Sequence, residues 1–300
     1  MTEAAESTEP AIESATPALC RLHLGVELRQ LRLASGKTAA EVARAFTWAP
    51  SKLTRLETAD NGIVEPTNVM ALCSIYGASP EKTEQLVGYA TVTKTKRDWW
   101  QTQDVRDVIP PGFKAYLGLE AVASRLETYQ SEYVPGLLQT QAYVTTILER
   151  AHAGLPAEQI DRRVAVRMTR QEVLHREQSP LEFTAIINEA VLRRRVGTAA
   201  VMRDQLAHIA DLATSNPHVK VQVVPFELGT HPGMNGQFTC LKFRDPLKPI
   251  VYLENLIGAS VSRREQDVRL YEAAISDLKA LAPGYQESLS MIKNAVKESQ

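Results

Sequence analysis

The chain has 300 residues, 34 Lys and Arg against 35 Asp and Glu, and 44% hydrophobic residues. That length predicts about two domains with real cores, and a formal net charge of -1 excludes any partner recognised through the charge of the whole chain, so a basic surface has to be local. The three cysteines, Cys20, Cys73 and Cys240, form no CxxC pair, and no 18-residue apolar run or basic-then-apolar leader occurs, which argues against a zinc site, a disulfide scaffold, a membrane span or secretion and makes the cytoplasm the expected compartment.

Residues 1–18, MTEAAESTEPAIESATPA, contain four Glu and no basic residue. With so little apolar surface to repay ordering, they are expected to form a disordered acidic tail. Residues 19–92 have compact helical patterning. RLHLGVELRQLRLAS carries Leu22, Leu24, Val26, Leu28, Leu31 and Leu33 on one broad face and stops at Gly36. Thr38 lies three residues before Glu41, a capping-box spacing, and Val42, Ala43 and Phe46 follow on one face. Thr47 opens the next start, with Pro50 suited to a first helical turn. TNVMALCSIYG is a fourth helix, and SPEKTEQLVGYA a fifth with Ser79 as its cap. Five short helices predict an all-α domain.

Its second and third helices have the spacing of a helix–turn–helix, which lets the later helix enter a DNA major groove. On that helix Leu53 and Leu56 face inward, whereas Pro50, Ser51, Lys52, Thr54 and Arg55 face out. Arg55 can read a guanine, and Ser51 and Thr54 can serve bases or phosphates. Lys52 and Arg44 suit phosphates, as does the backbone N–H of Thr38. Glu57 at the back of the helix is expected to pair with Arg32. The same pattern also fits an ordinary solvated face.

Residues 93–118 read as a connector with clustered charge, a Pro-Pro pair and the Trp99–Trp100 pair, which should pack rather than move freely. Residues 119–300 read as an α+β domain: helices over 119–130, 139–152 and 156–178, a strand LEFTAIIN, a helix EAVLRRRVG, a long helix TAAVMRDQLAHIADLATS, strands VKVQVVPF, GQFTCLKF and IVYLENL in a small, mainly antiparallel sheet, and two closing helices. GTHPGMNG reads as the loop of a β-hairpin.

Candidate chemistry in this half is sparse. Tyr133, Leu137 and Leu138 in YVPGLLQTQAY read as core or, alternatively, as the lining of a partner or ligand groove. Arg193 on the helix after LEFTAIIN suits an ion pair or a partner, and His231 and Asn235 in the Gly-rich loop could touch a small ligand. No nucleophile, base and orienting group can be assembled and no His spacing suits a metal. The expectation is a non-enzyme with no cofactor and no metal.

Residues 22–78, with LRQLRLASGKTAAEVARAFTWAPSKLTRLET at their centre, resemble the Xre/Cro-type helix–turn–helix. The matching features are Arg32 before the loop, Thr38 and Glu41 opening helix two, Ala43 at the tight contact, and SKLTRLE as recognition helix; Thr47, Trp48 and Pro50 depart from it. YVPGLLQTQAYVTTIL, RRVAVRMTRQEVL, INEAVLRRRVG and VKVQVVPFELGTHPGMNGQFTCLKF resemble the C-terminal domain of an actinobacterial family that joins such a helix–turn–helix to a domain of unknown function. The resemblance implies an antitoxin-like transcriptional regulator that binds double-stranded DNA, usually paired with a small protein encoded nearby. Two-fold operator symmetry makes a homodimer the expected state.

Overall fold

The computed structural model describes residues 16–59, 64–177, 179–245, 247–255 and 258–299. It divides into an N-terminal unit reaching to Thr102, with which the short segment 244–248 is grouped, and a C-terminal unit made of the rest.

The N-terminal unit contains α1 (Pro17–Ala34), α2 (Ala39–Ala45), α3 (Pro50–Glu57), α4 (Pro66–Tyr76) and α5 (Pro80–Thr95). Their ends follow from local chemistry. The side chains of Thr16, Thr38 and Ser79 accept N–H bonds in the first turns of α1, α2 and α5. Gly36 and Gly77 supply the left-handed residue that follows α1 and α4, each at φ 72°. The inward residues Leu24, Leu28, Val42, Leu53, Leu56, Val69, Leu72 and Leu86 form one core. Residues 1–15 of the acidic tail lie outside the described residues. The last part of that expected tail is instead helical, because Thr16 caps α1 and both Pro17 and Ala18 are buried.

The expected connector is also revised. α5 runs to Thr95, and Trp99–Gln101 form a 3-10 turn whose Trp100 is buried. Asp98 explains the attachment: Arg21 donates to its Oδ2 at 2.7 Å and the Ala18 N–H to its Oδ1 at 3.3 Å. The stretch to Thr102 is thereby part of the helical unit, while α6 (Gln103–Arg106) and α7 (Pro111–Val122) belong to the C-terminal one.

The C-terminal unit continues with β1 (Arg125–Gln130), α8 (Gln141–Ala151), α9 (Ala157–Arg170), β2 (Glu182–Asn188), α10 (Glu189–Arg193) and α11 (Ala199–Ser215). Then come β3 (Val219–Val224), β4 (Phe238–Lys242), β5 (Ile250–Asn255), β6 (Gly258–Ser262), α12 (Glu265–Leu281) and α13 (Tyr285–Glu298). One six-stranded sheet has the order β3-β2-β1-β4-β5-β6. It is a mixed sheet: β1 pairs β2 and β2 pairs β3 in parallel, whereas the β1–β4, β4–β5 and β5–β6 pairs are antiparallel. The parallel pairs follow from the helical crossovers α8–α9 and α10–α11, which return the chain to the same edge. Consequently GTHPGMNG is not a hairpin loop, because β1 and β2 separate β3 from β4.

The helix expected over 119–130 is helical only to Val122, the end of α7, and β1 replaces its later part. It is central, and Leu126, Glu127, Thr128 and Tyr129 are all buried. Thr128 donates to the Phe238 carbonyl at 3.1 Å and lies 2.9 Å from the Thr239 hydroxyl. Glu127 is held by Lys279, and by Lys242 at 3.6 Å. Burial alone would raise the Glu127 carboxyl; the hydrogen bond and charge of Lys279, with Lys242, bring it below the usual range. β6, small and polar, gave no strand pattern. α12 covers one face of the sheet, where Val268, Ile275 and Leu278 meet Tyr129, Ile186, Val224, Phe238 and Val251.

Candidate nucleic-acid interface

α2, the turn and α3 present the residues singled out in the sequence. Thr38 and Glu41 form a full capping box: the Glu41 N–H donates to Thr38 Oγ1 at 3.2 Å, and Glu41 Oε2 accepts from the Thr38 N–H and hydroxyl, each at 2.8 Å. The hydrogen bond from the Thr38 N–H, then that from its hydroxyl, lowers the Glu41 carboxyl below its ordinary value. This corrects the role given to Thr38, whose N–H is already committed to Glu41 and is not a free phosphate donor. Arg44 is exposed on α2.

The turn closes in a Schellman arrangement. The Trp48 N–H donates to the Ala43 carbonyl at 2.8 Å and the Thr47 N–H to that of Arg44 at 3.1 Å. Thr47 occupies the left-handed position at φ 54°, unusual for a β-branched residue. Trp48 is half-buried, packs on Phe46 with ring centroids 4.6 Å apart, and joins the core.

On α3 the two faces separate cleanly. Leu53 and Leu56 are buried, and Ser51, Lys52, Thr54 and Arg55 are exposed. The side chain of Pro50 lies outside the described residues. Lys52 does not extend freely: its Nζ sits 4.2 Å above the Trp48 ring. Trp48 therefore has a role that the sequence reading missed. Its signal was an aromatic residue four positions before a cation.

The back of α3 is fixed by an ion pair and a glycine. Arg32 Nε and Nη2 donate to the two Glu57 carboxylate oxygens at 2.6 and 2.8 Å, and Arg32 Nη1 donates to the Lys37 carbonyl at 3.0 Å. Hydrogen bonding to Glu57 raises the Arg32 guanidinium further above its ordinary value. At Gly25 in α1, a Cβ would stand 2.8 Å from the Leu56 carbonyl oxygen and 2.9 Å from that of Glu57. Gly25 was also missed, although a glycine inside an apolar helical pattern signals a close approach. Together these contacts fix how far α3 stands off α1 and which face it shows to solvent.

Two families match the chain. Residues 23–86 match the helix-turn-helix domain model, and residues 113–294 match the model described as Domain of unknown function (DUF5753). The chain belongs to the DUF5753 family. Its N-terminal helix–turn–helix domain points to DNA binding and to regulation of transcription. No curated protein and no solved structure matches the chain. No helix among the described residues is long and apolar enough to cross a membrane.

The DUF5753 unit redistributes the remaining candidates. Leu137 and Leu138 are buried, so they serve the core and cannot line an open groove; Tyr133 is 46% exposed. Gln139, Gln171 and Gln205 latch the VPGLLQT segment: Gln139 donates to the Val134 carbonyl at 2.7 Å, Gln171 to that of Gly136 at 3.1 Å, and Gln205 to that of Leu138 at 2.6 Å. Arg193 is half-exposed and pairs with Glu189 at 3.2 Å and with Glu298. His231 accepts from the Gly233 N–H at 3.2 Å and meets Tyr129 edge-on at 5.6 Å; burial lowers its pKa. Asn235 is exposed. The structure brings none of these together as one cluster.

Proposed function

We propose that this DUF5753 protein is a sequence-specific, cytoplasmic transcriptional regulator of the Xre/Cro type, acting as a homodimer. The observation that carries the reading is α3: a helix fixed from behind by Leu53, Leu56, Gly25 and the Arg32–Glu57 pair, with Ser51, Lys52, Thr54 and Arg55 turned outward. In this reading Arg55 and Ser51 read base edges, and Thr54, Lys52 and Arg44 contact bases or backbone. One such helix covers only a few base pairs, so a second copy supplies the other half-site. The C-terminal unit dimerises and binds a small ligand or a partner protein; the reading assigns it binding, not catalysis.

The test is a binding series on operator and random DNA, the operator being recovered by selecting bound fragments. Arg55→Ala should weaken operator binding by about 1–3 kcal/mol and relax one base position, whereas Lys52→Ala should weaken binding to all sequences and reduce the salt slope by about one. Equal losses on operator and random DNA for Arg55→Ala would reject base reading. Stoichiometric co-purification of a small protein would favour the antitoxin-like form of the proposal, in which DNA binding serves autoregulation.

A further inference from the structure

α9 carries Arg163, Arg167 and Arg170 at i, i+4 and i+7, a spacing that puts them on one face. Of the three, Arg170 is the one in an ion pair. It donates to Glu120 through Nε at 2.5 Å and Nη2 at 2.7 Å, and Glu120 also accepts from the Tyr116 hydroxyl at 2.7 Å. Arg167 is half-buried, and its hydrogen bond goes to the neutral Gln139 Oε1 at 3.0 Å. Among the described residues no carboxylate lies within ion-pair distance of Arg167 or Arg163. Arg163 Nε is buried without a hydrogen-bond partner. Burial, then the charge of Arg170, push the Arg167 guanidinium below its ordinary value.

A second orphan belongs to the same neighbourhood. Tyr252 on β5 is 5% exposed, its ring lies 4.1 Å from that of Tyr116, and its hydroxyl is buried with no hydrogen-bond partner. Burial raises Tyr252, and the charges acting on it are Glu254, Arg170, Glu120 and Arg167. Like charges one turn apart oppose folding, and an unpaired buried donor costs free energy. Glu254 acts on Arg167 and Tyr252 only through its charge, with no ion pair to either cation. A fold that keeps two cations without directly bonded carboxylates beside an unsatisfied hydroxyl is complementary to something negative.

We propose that this face binds a small anion carrying a phosphate or carboxylate group, with Arg167 supplying charge, the Tyr252 hydroxyl a buried donor, and Arg163 a second cation at the approach. The Arg170–Glu120–Tyr116 cluster holds the floor of the site. This gives a ligand chemistry to the sensing half of the proposed function and rests on that half alone, so its failure leaves DNA binding by α3 untouched.

The full-length protein, dialysed into chloride, is titrated with inorganic phosphate and separately with citrate at constant ionic strength. Thermal unfolding and calorimetry are read for the wild type, Arg167→Gln, Tyr252→Phe and the exposed control Arg269→Gln. One anion should raise the wild-type and Arg269→Gln midpoints by about 3–6 °C at ten times its Kd. Arg167→Gln should lose at least about tenfold in affinity. Tyr252→Phe should fold at least as stably without anion, its orphan hydroxyl gone, yet also lose about tenfold. A stronger response to phosphate than to citrate identifies a phosphate ligand, and the reverse a carboxylate. An equal response in all four proteins would show an adventitious ion only and overturn the site. So would no response to either anion.

Discussion

Two helices of this protein are rich in cations and use them in opposite ways. α3 turns Lys52 and Arg55 to solvent, and its inward side is apolar apart from Glu57, already matched by Arg32. α9 turns Arg163, Arg167 and Arg170 toward its own domain, where Glu120 forms an ion pair with the last. The local patterns look alike: both are basic and both interleave apolar residues at helical spacing. Their difference lies in which face the rest of the fold covers, and burial gives the same residue type two energetic meanings. An exposed arginine is a low-cost surface charge awaiting a partner, whereas an enclosed one has to be matched by an opposite charge or a ligand.

The contrast is tested most severely by removing the matched carboxylates. Glu120→Ala leaves Arg170 beside Arg167 with no counter-charge and strands the Tyr116 hydroxyl. It should destabilise the C-terminal unit by about 3–5 kcal/mol, seen as a shift in its denaturant midpoint. Glu57→Ala should cost the helical unit less, about 2–3 kcal/mol, because Arg32 keeps its bond to the Lys37 carbonyl. If the two losses came out equal, the enclosure of α9 would not differ in kind from that behind α3.

How much of this was legible before the fold follows the same division. Around α3 the deciding information is local. Thr38–Glu41 capping, the Gly36 and Gly77 stops and the Leu53/Leu56 period all act within a few residues. The Arg32–Glu57 pair spans only 25 positions. In the C-terminal unit the deciding partners are remote. β1 looks helical because Glu127 and Thr128 break any apolar alternation, and what makes them tolerable inside a sheet, Lys279 and Thr239, lies 152 and 111 residues away. Leu137 and Leu138 were ambiguous for the same reason, since Gln171 and Gln205 close the loop over them from other helices. A mixed strand order with parallel neighbours, which parts β3 from β4, has no local signature at all.

The stand-off of α3 can be probed through Gly25. Alanine is the better helix former by about 0.5–1 kcal/mol, so at an open position Gly25→Ala would stabilise α1. Here its Cβ would meet backbone oxygens of Leu56 and Glu57, which cannot rotate away. The expected outcome is a net loss of about 1–3 kcal/mol, with a fall in DNA affinity larger than that of any variant outside α3, because relief comes from tilting its C-terminal end. A variant of normal stability and normal DNA binding would show that α1 does not set the projection of α3.

The smallest expected effect is at Thr47, where a residue with a side chain takes the left-handed turn position that favours glycine. A residue with a side chain held at φ 54° is strained by about 1–2 kcal/mol, and the Thr47 hydroxyl offsets part of this by donating to the Phe46 carbonyl at 2.6 Å. Thr47→Gly removes the strain and that one bond together, so the helical unit should gain about 1 kcal/mol, read as a raised denaturant midpoint at constant m. Since the Trp48–Ala43 and Thr47–Arg44 backbone bonds already hold the turn in a glycine-like conformation, DNA affinity should stay unchanged. A drop in affinity despite the added stability would mean that the stiffness of the threonine, and not the backbone bonds alone, aims the exposed face of α3.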